Sequence, residues 1–272
     1  MARLTARTRR LAMAAVSVLA LAATIPGCVA MATEDPRSPE HRQDGKRNAM
    51  QSPSSAQSRS PSATAPAAPG RVSDSITHES ETPGKAVNLT IDDGPEPIWT
   101  LKVLEVLKKY DAKATFCIIG SRAKEYPELV KKVVAAGHRL CDHSVDHNTA
   151  MDKRSEPYQE QQILDARKMI LDAAGRDARV FYYRAPGGAF TPYSREVAAS
   201  HGMRPLGWNV DTHDWTNPGV QRIVDAVHRD LYEGPTILFH DGGGNRSQTA
   251  AALDQILPWL KSQGYAFGYP KV

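Results

Sequence analysis

From position 86 onward, short apolar runs alternate with longer stretches in which apolar residues recur every three or four positions. The runs 86–91, 114–119, 138–141, 180–183, 203–210, 235–239 and 265–268 predict β-strands. The stretches 100–110, 127–136, 156–174, 192–201, 220–231 and 247–263 predict amphipathic helices. In the first of these, Leu101, Leu104 and Leu107 give the expected inward stripe. Strand-then-helix alternation predicts an α/β fold, a parallel sheet with helical crossovers. About seven parallel strands point to a distorted, incomplete (β/α) barrel, with a doubly wound open sheet as the alternative. No GxGxxG or GxxxxGK[ST] motif is present, which weighs against nucleotide-binding versions of that alternative.

The pattern stops upstream of position 85. Residues 33–84 contain no Leu, Phe, Trp or Tyr and are rich in Ser, Pro and Ala, so they are expected to form a disordered linker ahead of a catalytic domain at 85–272. Residues 1–32 read as an export signal: Arg3, Arg7, Arg9 and Arg10 precede an Ala-rich apolar run at 11–25, too short to span a bilayer comfortably. Two processing routes stand open. Ala30-Met31-Ala32 is an A-x-A site that predicts a soluble secreted protein, whereas Ile25-Pro26-Gly27-Cys28 resembles a lipobox that would place a lipid anchor on Cys28 and hold the protein at the cell surface. Membrane contact is expected only through the signal or that anchor.

Charge changes the picture little. Four of the 34 basic residues lie in the signal, and the remaining 30 balance the 30 acidic ones, so no nucleic-acid partner is expected. Export permits a disulfide between Cys117 and Cys141. Adjacent strands rarely offer the geometry, however, and two buried free thiols are the expectation.

The candidate chemistry is positional. Asp92-Asp93 ends the first predicted strand, His143 and His147 follow the third, Arg184 the fourth, Asp211 and Asp214 the fifth, and His240 the sixth. In parallel α/β folds the C-terminal strand ends form one face, so these residues are expected to converge there. Adjacent carboxylates repel when buried, and a cation relieves that cost, which suits one Asp as metal ligand and its neighbour as acid or base. An Asp-Asp-Gly-Pro turn has the same sequence. His143 and His147, four apart, can share one helix face and bind one metal; alone, such a pair also describes two surface histidines. Asp93 completes a His₂-Asp set with an open position, a composition suited to Zn²⁺ and hydrolysis.

Five ordered motifs over 86–272 then carry a resemblance: Thr90-Ile91-Asp92-Asp93-Gly94-Pro95, His143-Ser144-Val145-Asp146-His147, Arg184-Ala185-Pro186-Gly187-Gly188, Asp211-Thr212-His213-Asp214-Trp215 and Leu238-Phe239-His240. The chain resembles the NodB-like polysaccharide deacetylases, carbohydrate esterase family four. Ile91 replaces the usual aromatic of the first motif, and Gly187 stands where many relatives carry a larger residue. The resemblance implies one divalent ion, Zn or Co, on Asp93, His143 and His147. It implies Asp92 as general base oriented by Arg184, and His240 as general acid partnered by Asp214. The Gly187 N–H would stabilise the oxyanion, and Trp215 and Leu238 would shape an acetyl pocket. A monomer that removes N-acetyl groups from peptidoglycan or chitin-like polysaccharide is expected. An O-acetyl esterase on acetylated xylan, or a non-catalytic wall-binding protein, are the alternatives. Trp99, Trp208 and Trp259 are expected to pack in the core or rim.

Overall fold

The computed structural model describes residues 70–272. The expected signal, the Cys28 anchor and most of the linker lie outside the described residues. The strands are β1 (Ala86–Asp92), β2 (Ala114–Ile118), β3 (Arg139–Asp142), β4 (Val180–Tyr183), β5 (Arg204–Pro205), β6 (Val210–Asp211), β7 (Thr236–His240) and β8 (Ala266–Phe267). The helices are α1 (Trp99–Lys109), α2 (Gly120–Glu125), α3 (Pro127–Ala135), α4 (Glu156–Ala174), α5 (Pro192–Ser200), α6 (Val220–Asp230) and α7 (Ser247–Ser262). Every strand pair is parallel, in the order β5-β4-β3-β2-β1-β7-β6, with β8 added to the start of β1.

The expected single strand at 203–210 is two strands on opposite edges of the sheet. Pro205 cannot donate to a ladder, and a side chain on Gly207 would collide with His78. Only residues 206–209 join the two edges, and such a link spans at most about 18 Å. The sheet must therefore curl until its edges face each other, which makes the seven-strand path a half-barrel.

Alternation along the strands gives the curl two faces. On β1, Val87, Leu89 and Ile91 join the large core beneath the helices, while Asn88, Thr90 and Asp92 are buried polar residues of the inner face. A one-residue slip would exchange these sets, so the register is strongly fixed. A second, small apolar cluster of Cys117, Cys141, Tyr182 and Leu206 fills the inside of the curl. Cys117 and Cys141 are register partners on β2 and β3, with Cα atoms 4.2 Å apart, and they form a disulfide. This corrects the expectation of free thiols: residues directly opposite on neighbouring strands point to the same side.

Three other expectations shift. The fully buried residues of α1 are Thr100, Val103 and Leu107, with Leu104 partly buried against the core, so of the expected stripe only Leu101 falls outside it. An additional short helix, α2, precedes α3. The ordered domain also begins upstream of 85. Thr77 bridges to Leu206 and exchanges backbone hydrogen bonds with Pro205 and Gly207 across the seam. His78 and Glu79 accept hydrogen bonds from Thr236 and Asn88, and Glu81 pairs with Arg139. Residues 70–84 thus form a strap across the base of the half-barrel, stitched by main-chain bonds that need no large apolar side chains. No helix among the described residues is long and apolar enough to cross a membrane.

Candidate active site

The C-terminal strand ends gather the expected residues around one cavity of about 540 Å³. Asp92, Asp93, His143, His147, Arg184, Gly187, Trp215, Leu238 and His240 all line it, and Asp214 sits behind His240. Asp92 and His240 are register partners on β1 and β7.

Arg184 is fully buried and reaches back along the inner face. It donates to Asp92 Oδ1 at 2.7 Å, to Thr90 Oγ1 at 2.9 Å, and to the carbonyls of Leu206 and Gly207 at the seam. The same guanidinium therefore orients Asp92 and ties together strands on either side of the barrel opening. Charge-assisted bonds of this kind are short and directional.

Asp93 follows β1 with φ 75°, and a cis Gly94–Pro95 bond turns the chain away. Gly94 is obligatory, because any side chain there would strike the Asp241 carboxyl. The two histidines stand on a tight loop rather than the expected helix face. Ser144 and His147 take left-handed backbone angles, with φ 64° and 57°. Such angles are uncommon outside glycine and need support. Asp142 accepts from the Ser144 N–H, Ser144 Oγ from the His147 N–H, and Gln162 from Val145 and Asp146. His143 Nδ1 lies 2.8 Å from the Arg184 carbonyl. A carbonyl only accepts, so Nδ1 carries the hydrogen, and in the neutral ring that a metal requires Nε2 presents its lone pair.

That lone pair points toward Asp93. Oδ1 of Asp93 is 3.5 Å from His143 Nε2 and 3.1 Å from His147 Nε2. It is buried, yet it accepts no hydrogen bond from the described residues. Burial works to raise the Asp93 pKa, but positive charge on His143 first, then on His147 and His240, outweighs it and holds the carboxyl well below the usual range. Burial and the neighbouring His143 pull His147 down, favouring its neutral form. Ligand atoms of Asp93, His143 and His147 lie within 4.8 Å of one another. Three converging donors with an orphaned buried oxygen fit a divalent cation with imidazole and carboxylate ligands.

His240 has a different partner. Its Nδ1 donates to Asp214 Oδ1 at 2.7 Å, and its backbone N–H and the Thr249 hydroxyl donate to Oδ2. Burial opposes protonation of the ring, but the Asp214 hydrogen bond and charge prevail and push it up to about 9. Gly187 has φ 60°, and a side chain there would press on Thr149 at 3.3 Å.

A family model for polysaccharide deacetylase matches residues 79–206. A peptidoglycan-N-acetylglucosamine deacetylase of Bacillus cereus is 40% identical over 194 residues, 71% of this chain and 89% of that protein. The chain belongs to the polysaccharide deacetylases. A chitooligosaccharide deacetylase of Sinorhizobium fredii is 37% identical over 198 residues, 68% of this chain and 90% of that one. A family 4 carbohydrate esterase from Streptomyces lividans, solved with acetate, is 32% identical with a TM-score of 0.62, covering 68% of this chain and 92% of that one. This polysaccharide deacetylase also carries cavity residues that sequence reasoning gave no role: Thr149, Trp208, Gly243 and Arg246. Trp208, expected in core or rim packing, lies over the Arg184 guanidinium at the seam. The Asp-Gly-Gly-Gly-Asn-Arg run at 241–246 is the available signal for a loop that contributes Gly243 and Arg246 to the cavity lining.

Proposed function

We propose that this protein is a metal-dependent hydrolase that removes N-acetyl groups from N-acetylglucosamine-containing polysaccharide, peptidoglycan or a chitin-like polymer, releasing acetate. The observation that carries this reading is the convergence of Asp93, His143 and His147 beside the register-paired Asp92 and His240. Asp93, His143 and His147 would hold one divalent ion, zinc or cobalt. When bound, it supplies a Lewis acid that polarises the amide carbonyl and lowers the pKa of water.

The chain's own residues do the rest. Arg184 donates to Oδ1 of Asp92, which leaves Oδ2 on the His143 side of the cavity to take the proton of the attacking water. The water oxygen adds to the carbonyl carbon, and the Gly187 N–H donates to the oxygen that gains charge. Asp214 holds His240 Nδ1, so Nε2 of the protonated ring delivers its proton to the amide nitrogen as the C–N bond breaks. Acetate and a free amino sugar leave. Trp215 and Leu238 wall the space for the acetyl methyl. The protein works as a monomer, exported to the cell surface or medium by its N-terminal signal.

The test is mass spectrometry of purified protein incubated with N-acetylglucosamine oligomers, peptidoglycan fragments and acetylated xylan. Loss of acetyl groups from an amino-sugar polymer is expected. Acetate from xylan alone would replace this reading with an O-acetyl esterase.

A further inference from the structure

One buried charge at the mouth has no part in the chemistry above. Arg246 precedes α7 and is 3% exposed. A cation at the start of a helix works against the helix dipole, and burying it adds a desolvation cost. Such a group persists where its hydrogen bonds are needed. Its Nε donates to the Gly242 carbonyl at 2.6 Å, Nη1 to the Trp215 carbonyl at 3.1 Å and Nη2 to the Gly243 carbonyl at 3.1 Å. All three partners are main-chain atoms, so Arg246 holds backbone.

The carbonyls belong to two separate loops. Gly242 and Gly243 follow β7 and pack against the Asp93 backbone and side chain. Trp215 stands on the single turn Asp214–Thr216, flanked by His213 and Asn217 with φ 51° and 54°. Two non-glycine residues in the left-handed region make this turn one that must be held from outside. His240 and Thr249 hold the Asp214 side chain. Arg246 holds the next carbonyl along. The Trp215 side chain is 52% exposed, so core packing does little to fix it.

We propose that Arg246 is a positioning residue that sets acyl-group specificity by fixing the Trp215 wall of the cavity relative to the loop after β7. This rests on the reading above in which Trp215 and Leu238 receive the acetyl methyl.

The test compares kcat/KM for an N-acetyl chitooligosaccharide and its N-propionyl counterpart. One methylene in a shaped apolar pocket is worth about 10–200-fold, so the unsubstituted protein is expected to favour acetyl on that scale. Arg246→Met keeps an unbranched apolar stem and removes every donor; the acetyl preference should fall about tenfold, with metal content retained. Arg246→Lys, still able to donate to a carbonyl, should recover most of the preference. Arg246→Gln, which keeps one donor group, is measured in addition and is expected to lie between them, so that a poorly folding Met variant does not end the test. If the Arg246 variants slow both substrates in equal proportion, the residue is structural only and the inference fails. Trp215→Ala separates the two ideas. Its preference should also collapse; if it does not, the acetyl-pocket assignment fails and carries the inference with it.

Discussion

On the proposed function, the His240–Asp214 pair should set the alkaline behaviour of the site. Because the folded ring is raised to about 9, the rate should fall as pH climbs through that value. Asp214→Asn removes the charge that outweighs burial, so the limb should move down toward the ordinary imidazole range. The stability sign follows from linkage: the stabilisation is complete below the unfolded value near 6.5 and is lost as pH rises through about 9. Breaking this buried pair in Asp214→Asn should cost about 3–5 kcal/mol in denaturant titrations at neutral pH. Base and acid can be separated. Asp92→Asn should lower the rate at least ~10²-fold while keeping the metal, since the proposed ligands are untouched. His240→Asn should harm amide cleavage more than cleavage of activated aryl acetates, whose leaving groups need no proton. Equal damage to both substrates would remove His240 from the acid role. These residues were legible in the sequence because each is an ionisable side chain at a strand end. Arg246 was not, because it works on main-chain carbonyls.

At the level of elements, the alternation of strands and helices was readable, and the seam was not. Residues 203–210 have the apolar pattern of one strand, and only Pro205, Gly207 and the strap at Thr77 divide them. The disulfide was hidden for a related reason: whether Cys117 faces Cys141 depends on a one-residue register that composition does not report. The bond closes a loop with a sequence separation of 24. Replacing both cysteines by serine should therefore lower stability by about 3 kcal/mol on loop-closure grounds. Since Asp92 is paired with Cys117, reduced catalytic order at the β1 end should accompany that loss, readable as a lower kcat at temperatures where the variant remains folded. The strap calls for a different comparison. A chain starting at residue 70 should melt like the full chain, whereas one starting at 85 should melt at clearly lower temperature. Equal melting of the two would show that the bonds of Thr77, His78 and Glu79 contribute nothing to the domain.

For the whole molecule, the half-barrel brings the proposed ligands from β1 and the loop after β3 to one point, so on the proposed function ion binding and folding should be coupled. Chelation should abolish acetate release and lower the melting temperature; added Zn²⁺ or Co²⁺ should restore both, with one ion per chain by elemental analysis. Activity in metal-free protein would overturn the mechanism. The α/β class and the location of the active face were legible because they follow from strand order and strand direction, which the hydrophobic pattern encodes. The shape of the base was not. There Ser80 bridges to Pro270 and the Lys271 N–H donates to the Glu79 carbonyl, so residues 79–81 of the strap run beside residues 269–271. The two segments close like a zip: once Glu79 and Glu81 let go, Lys271 and Tyr269 lose their partners too, so amide exchange in both segments should quicken together.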